Sequence, residues 1–200
     1  MHLQVLESGH RLRARAVLWA AEHLGRTPID DVGTTCLYRP ELFGRNFLKL
    51  AGGVLCGPSE WSRGERELFA AFISRKNRCR YCTAIHSEMA FLGFGDKITT
   101  ESLDNWQSSD FSPRIKAVFA LLEAVISRPE DKAKAEVDAA RSEGISDESI
   151  TEVLYLAFVF NLINRVADAL GFSWASESEL EKSARILNRI EYKLPSILLR

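Results

Sequence analysis

Helix start and stop signals recur along almost the whole sequence and constrain its fold more than any other feature. Ser62 followed by Glu65 forms a capping box, and Ser176 followed by Glu179 forms another. No segment alternates apolar and polar residues for long, as a half-buried strand would. The pattern predicts an all-α fold, with helices over residues 40–56, 62–76, 79–93, 112–125, 129–144, 146–171 and 176–192.

Length and composition predict one domain. The chain has 200 residues, a formal net charge of −1 and a hydrophobic fraction of 46%. We expect an N-terminal helix and loop over residues 1–35, a core over 40–95 and C-terminal helices over 112–200. The near-zero charge argues against nucleic-acid binding, and no apolar run approaches the roughly 18 residues that span a bilayer. The N-terminus is too polar for a secretory signal, so we expect a cytoplasmic protein with no membrane partner.

Cys79, Cys82 and His86 form a Cys-x2-Cys-x3-His motif. In the reducing cytoplasm such a pair is more typical of catalysis or metal binding than of a structural disulfide. The other two cysteines, Cys36 and Cys56, have no such setting, and we expect both to pack as small hydrophobic residues.

Helical geometry predicts how the motif is arranged. Cys82 and His86 lie one turn apart on one helix face, and Cys79 lies at the helix start, where free backbone N–H groups favour a thiolate. Glu67 lies too far from Cys79 on one straight helix, at about 18 Å. An antiparallel hairpin that turns near Asn77 instead places Glu67 opposite His86, so a carboxylate–imidazole contact is predicted.

These residue types suit peroxide reduction. A cysteine thiolate attacks the O–O bond of a peroxide, and a neighbouring thiol condenses the resulting sulfenic acid into a disulfide. His86, oriented by Glu67, can take the proton of Cys82 and deliver it to the departing alkoxide.

Several segments resemble one known family. The chain looks like the alkylhydroperoxidase-D-like (carboxymuconolactone-decarboxylase-type) superfamily, and the Glu-x11-Cys-x2-Cys-x3-His spacing is the most specific part of the match. Residues Phe160–Asp168 resemble the distal helix of the family's peroxidase-related branch. The segments that carry the resemblance are Pro40–Phe43, Trp61–Glu67, Asn77–Gly93 and Phe160–Asp168.

The resemblance implies a fold, an activity and residue roles. It implies an oligomeric helical bundle (dimer, trimer or hexamer) with the motif on a helical hairpin, and thiol-dependent reduction of organic hydroperoxides without a cofactor. Cys82 would be the peroxidatic nucleophile, Cys79 the resolving partner, and Glu67 with His86 the proton relay. The partners would be a small hydroperoxide and a thiol or dithiol reductant that the sequence does not identify. Tyr81 stands where the best-studied peroxidases of the family carry a second histidine, and its hydroxyl can still form a hydrogen bond.

Further features concern support of the site and assembly. Asn161, Asn164 and Asp168 share one face of an otherwise apolar helix, where they either brace the cysteine site or bond to neighbouring helices. The apolar residues 153–160 and the tail 194–199 exceed what one bundle should bury, so we expect a homo-oligomer.

Three alternative functions use the same residues or fold. A carboxymuconolactone-type decarboxylase shares the fold but generally lacks the cysteine pair. A disulfide reductase would use the same pair on a different disulfide. A zinc-binding structural protein would use the two cysteines, His86 and a carboxylate, although no second Cys/His pair lies at a ligand spacing, and we expect no metal.

Overall fold

The computed structural model describes residues 1–24, 29–127 and 132–193, and all regular secondary structure in these ranges is helical. The all-α prediction is therefore confirmed. The helices are α1 (Val5–Ser8), α2 (Leu12–His23), α3 (Asp31–Tyr38), α4 (Arg45–Cys56), α5 (Arg63–Lys76), α6 (Arg80–Phe94), α7 (Thr100–Asp104), α8 (Pro113–Ser127), α9 (Lys132–Ser142), α10 (Asp147–Leu170) and α11 (Glu177–Ile190), with a π-helical turn at Pro40–Gly44.

Most of the predicted helix boundaries agree with the structure. The capping box of Ser62 and Glu65 opens α5, and Ser146 and Ser176 cap α10 and α11. Gly95 ends α6 in the left-handed conformation. The predicted start near residue 129 lies outside the described residues.

Three local features were not predicted. The helices α3 and α7 are too short to show a clear period in the sequence. The helix predicted from Pro40 begins instead as the π-helical turn. That turn ends at Gly44, where an added Cβ would overlap the Cys36 carbonyl oxygen, so the glycine permits close packing against α3.

The α5–α6 hairpin is the framework of the molecule. Helix α5 is buried on almost every face, and Phe72 stacks on Phe119 of α8 with ring centroids 4.0 Å apart. The hairpin turns at Arg78, whose φ of 63° is left-handed, and the N–H of Cys79 bonds to the Ser74 carbonyl oxygen at 2.9 Å. This turn sets the register that brings α5 and α6 side chains together.

Helix α10 crosses this hairpin and packs against α4, α5, α6, α8 and α9. Among the described residues it alone is long and apolar enough to cross a membrane, judged by length and composition. Its buried face, which includes Val153, Leu156 and Phe160, lies in the hydrophobic core. A central helix of a soluble protein passes the same test, so the finding is weak evidence for a membrane span.

Substitution of Gly93 by alanine should destabilise the fold. An added Cβ would lie 2.7 Å from the Gly64 Cα, so the two backbones of the hairpin would have to separate. We expect a loss of about 1–3 kcal/mol from overpacking, more than the roughly 0.5–1 kcal/mol that alanine gains over glycine in a helix. Urea unfolding measures the difference.

The matched control is Gly53→Ala on α4, where an added Cβ meets nothing within 4 Å. This variant should equal or exceed the parent in stability. Equal stability of Gly93→Ala and the parent would contradict the close approach of α5 and α6.

Candidate functional site

The structure places the three motif residues at the start of α6. Cys79 is the N-cap residue, and Cys82 and His86 follow on the helix. Both thiols are free, with exposed fractions of 0% for Cys79 and 2% for Cys82. Both cysteines therefore lie inside the protein as reduced thiols and are shielded from solvent.

Glu67 and His86 form a short hydrogen bond, as the hairpin geometry predicts. The His86 Nδ1–H donates to Glu67 Oε2 at 2.6 Å, across 19 residues of sequence, and both side chains are buried. A carboxylate that accepts from Nδ1 leaves Nε2 as the nitrogen able to accept a proton. The Phe160 ring lies edge-on to the imidazole, with centroids 4.7 Å apart, and restricts its rotation.

Tyr192 is a third member of this group, and sequence reasoning missed it. Its hydroxyl donates to Glu67, 3.1 Å from Oε1 and 3.3 Å from Oε2. Burial first, and then the charge of Glu67, raise the pKa of Tyr192 well above its usual range, so the phenol stays protonated and can donate. No sequence signal connects residues 67 and 192, because their contact depends on the packing of α11.

The pKa of Cys82 is raised well above that of an ordinary thiol. The largest cause is its hydrogen bond with Cys79, followed by burial, whereas a hydrogen bond with Asn164 acts in the opposite direction. Cys82 therefore rests as a thiol and needs a base to become a nucleophile. His86 lies one helical turn away.

Asn164 supports the turn of the hairpin from α10. Its amide donates to Ser74 Oγ at 3.0 Å, and its oxygen accepts from Asn77 Nδ2 at 2.9 Å. The side chain is fully buried and also bonds to Cys82, so it joins the turn to the thiols. Asn161 is half-buried on the same helix and does not line the cavity described below, and Asp168 is exposed.

Tyr81 contacts an aspartate rather than the Glu67–His86 pair. Its hydroxyl donates to Asp30 Oδ2 at 3.2 Å, and the other oxygen of Asp30 caps α3 by accepting from the Gly33 N–H at 2.8 Å. Burial is the main reason that the pKa of Asp30 is raised, and it also raises the pKa of Tyr81 well above its usual range. Asp30 was not predicted, because its neighbours in space are distant in sequence.

A cavity of about 320 Å³ lies next to Cys82. Cys82, His86, Tyr81 and Tyr192 lie in its wall, and the remaining lining comes mainly from apolar side chains of α2, α3, α4, α10 and α11. Cys79 does not line it. A molecule in the cavity can therefore reach Cys82 and His86, and most of the wall around it is hydrocarbon.

The other two cysteines do not line this cavity. Cys36 is fully buried, and burial raises its pKa to about 12, which matches its predicted role as a small core residue. Cys56 is half-buried, and burial is the main reason that its pKa is raised. Across the described parts of the chain, no three His, Cys, Asp or Glu side chains are grouped to hold a metal ion.

Two solved structures share this fold. An uncharacterized peroxidase-related protein from Silicibacter sp. TM1040 superposes with a TM-score of 0.75 and 22% identity, over 92% of this chain and 95% of that one. An alkylhydroperoxidase AhpD core protein from Ralstonia eutropha JMP134, also called peroxidase-related, gives a TM-score of 0.72 and 21% identity, over 89% and 92%. Neither a protein-family model nor a curated protein sequence matches the chain. The helical-bundle fold that the sequence resemblance implied is confirmed.

Asp30→Asn should change how stability depends on pH. Because the pKa of Asp30 is raised by burial, its folded form holds the proton more tightly, and its contribution to stability falls as pH rises above the ordinary aspartate value of about 3.9. Asparagine keeps an acceptor for the Gly33 N–H without the charge. The melting temperature of the variant, relative to the parent, should therefore increase from acidic to alkaline pH.

The matched control is Asp96→Asn, where the side chain is exposed. It should leave the pH dependence of the melting temperature unchanged. If the melting temperatures of Asp30→Asn and the parent changed with pH in parallel, the buried carboxyl would have no effect on the pH dependence of stability.

Proposed function

We propose that this protein is a thiol-dependent peroxidase that reduces organic hydroperoxides through a Cys79–Cys82 dithiol–disulfide cycle. The observation that carries the proposal is the shared cavity wall: Cys82 and His86 face one apolar cavity, and His86 is bound by the buried Glu67. The peroxidase-related names of the two structural neighbours support the same class of activity.

In the first step, His86 activates Cys82. The imidazole Nε2 takes the thiol proton, and Glu67 stabilises the imidazolium through its bond with Nδ1–H. The thiolate then attacks the terminal peroxide oxygen and the O–O bond breaks. The departing alkoxide takes the proton from His86, so the products are an alcohol and a sulfenic acid on Cys82.

In the second step, Cys79 resolves the sulfenic acid. Its sulfur attacks the Cys82 sulfur, the thiol proton leaves with the hydroxyl as water, and a disulfide forms. Both cysteines lie at the start of α6, and their interaction raises the pKa of Cys82, which supports a disulfide between them. A thiol or dithiol reductant then restores both thiols, and the cytoplasm, where we place the protein, supplies such reductants.

The cavity suits a neutral, apolar peroxide. Its volume of about 320 Å³ lies at the lower end of the range for small-molecule sites, and most of the side chains that line it are apolar. The apolar wall excludes water and protects the sulfenic acid until Cys79 reacts. Hydrogen peroxide fills little of this space, so an organic hydroperoxide gains more from binding.

Thiol counting tests the proposed cycle. One equivalent of cumene hydroperoxide should remove two free thiols per reduced chain, because both cysteines enter the disulfide. Cys82→Ser should abolish peroxide consumption. Cys79→Ser should react once and stop at a sulfenic acid that dimedone traps.

The matched control is Cys56→Ser, which removes a half-buried thiol outside the cavity wall and should consume peroxide at the parental rate. If Cys79→Ser is inert while Cys82→Ser reacts once, the roles of the two cysteines are reversed. If the reduced parent loses no thiols with any peroxide, the proposed activity is wrong.

We also propose that the protein is a homo-oligomer whose interface includes α10. Tyr155, Phe158 and Leu162 form an exposed apolar stripe on this helix, with exposed fractions of 58%, 63% and 47%. Residues three and four apart share a helix face, so one stripe can pack against its copy across a two-fold axis. The tail at 194–199, which was also expected to take part, lies outside the described residues.

Light scattering tests the assembly. The parent should have a mass of at least two chains of 22.5 kDa each. Phe158→Glu should lower this mass, because a charge cannot be buried unpaired at the contact. Leu12→Glu, at an exposed leucine on α2, is the matched control and should keep the parental mass. A parental mass of one chain would contradict the proposal.

A further inference from the structure

Tyr192 reaches the site from the far end of the chain. It follows α11, lies 125 residues from Glu67 in sequence, and is buried with an exposed fraction of 7%. Its hydroxyl is within hydrogen-bond distance of both Glu67 oxygens and lies 3.4 Å from Met89 Sδ. Its ring also lines the cavity that contains Cys82. In the proposed cycle Tyr192 neither gains nor loses a proton.

The backbone that delivers this side chain is strained. Glu191 and Tyr192 are consecutive residues with φ of 51° and 58°, in the left-handed region that residues with a Cβ seldom adopt. The reversal ends α11 and turns the Tyr192 ring inward. Such outliers persist where the surrounding structure holds them, and they concentrate at functional sites.

Residues of α4 and α5 lie against the turn at Glu191 and Tyr192. Gly52 of α4 leaves room for it, because an added Cβ would lie 3.3 Å from the Glu191 carbonyl oxygen and 3.6 Å from Tyr192 Cβ. Arg63, in the first turn of α5, lies 3.9 Å from a Glu191 carboxylate oxygen and bonds to the Leu187 carbonyl oxygen at 3.5 Å. Helices α4 and α5 thus both support the turn that positions Tyr192.

The hydrogen-bond pattern determines what Tyr192 does. Glu67 accepts from the His86 Nδ1–H and from the Tyr192 hydroxyl, so the carboxylate is held from two sides. A carboxylate with one donor can rotate about its side chain, whereas one held by two donors on different segments of the chain is fixed. The raised pKa of the phenol keeps it a donor at neutral pH.

We propose that Tyr192 is a positioning residue of the cysteine site, whose hydroxyl fixes Glu67 so that the carboxylate holds His86 with Nε2 available to Cys82. This inference rests on the proposed peroxidase function, in which His86 is the base for Cys82. The turn that follows α11 therefore supports the proton relay, although it carries none of the motif residues.

Tyr192→Phe tests the inference, because it removes the hydroxyl and keeps the ring. Two rates are measured over the neutral to alkaline pH range: thiol loss with cumene hydroperoxide, and alkylation of Cys82 by iodoacetamide in a Cys79→Ser background. We expect Tyr192→Phe to slow both by roughly tenfold near neutral pH, a part of the roughly 10²-fold that general-base assistance supplies. The slowing should shrink as the pH rises, because a growing share of the Cys82 thiol then ionises without help from His86.

A double-mutant cycle separates positioning from a general structural effect. If Tyr192 acts through Glu67, adding Tyr192→Phe to Glu67→Gln should cause no further slowing. Multiplicative effects of the two substitutions, or a parental rate for Tyr192→Phe, would overturn the inference. Tyr38→Phe, at a half-buried tyrosine outside the cavity wall, is the matched control and should keep the parental rates.

Two further arms cover the remaining outcomes. If Tyr192→Phe does not fold, Gly52→Ala displaces the same turn while it keeps the hydroxyl, and it should slow alkylation in the same direction. Alkylation needs no peroxide. A slowed, Glu67-dependent alkylation in a protein that ignores peroxides would support the role of Tyr192 and contradict the proposed function.

Discussion

The buried hydrogen bond between Glu67 and His86 is the interaction on which the rest of the site depends. A carboxylate with an exposed fraction of 1% must be compensated by donors, because an unpaired buried charge is costly. His86 supplies one donor and Tyr192 the other. The α5–α6 hairpin places Glu67 and His86 opposite each other. Its register depends on the left-handed turn at Arg78 and on the close approach of the two backbones at Gly64.

The same packing explains why the thiols need a base. Contact with Cys79 and removal from water raise the pKa of Cys82, so burial alone would make the site inert. The same burial would shield the proposed sulfenic acid from water, and it keeps Cys79 beside Cys82. In the proposed cycle the adjacent imidazole, held by Glu67, would remove the Cys82 proton and so offset the effect of burial.

Helix α10 connects the site to the surface. Its buried face brings Asn164 to the hairpin turn and Phe160 to the His86 ring. Its other face presents the stripe of Tyr155, Phe158 and Leu162. A contact between subunits on this stripe would therefore lie on the helix that also braces the thiols, and the stability of the assembly and the order of the site would depend on the same element.

The sequence by itself determined most of what rests on short-range geometry. Capping residues and glycine stops located most helices, and the spacing of Cys82 and His86 placed them on one helix face. The pairing of Glu67 with His86 also followed, because a tight hairpin relates positions on its two helices by simple arithmetic.

Only the tertiary structure decided the parts that join distant segments. The contacts of Tyr192, Asp30 and Asn164 depend on how α11, α3 and α10 pack. No periodicity or spacing in the sequence predicts these contacts. The pKa of Cys82 and the apolar cavity likewise arise from burial by several helices at once. Hydrogen-bond partners far apart in sequence are selected by the packing of the whole core, whereas helix faces and caps are selected within a few residues.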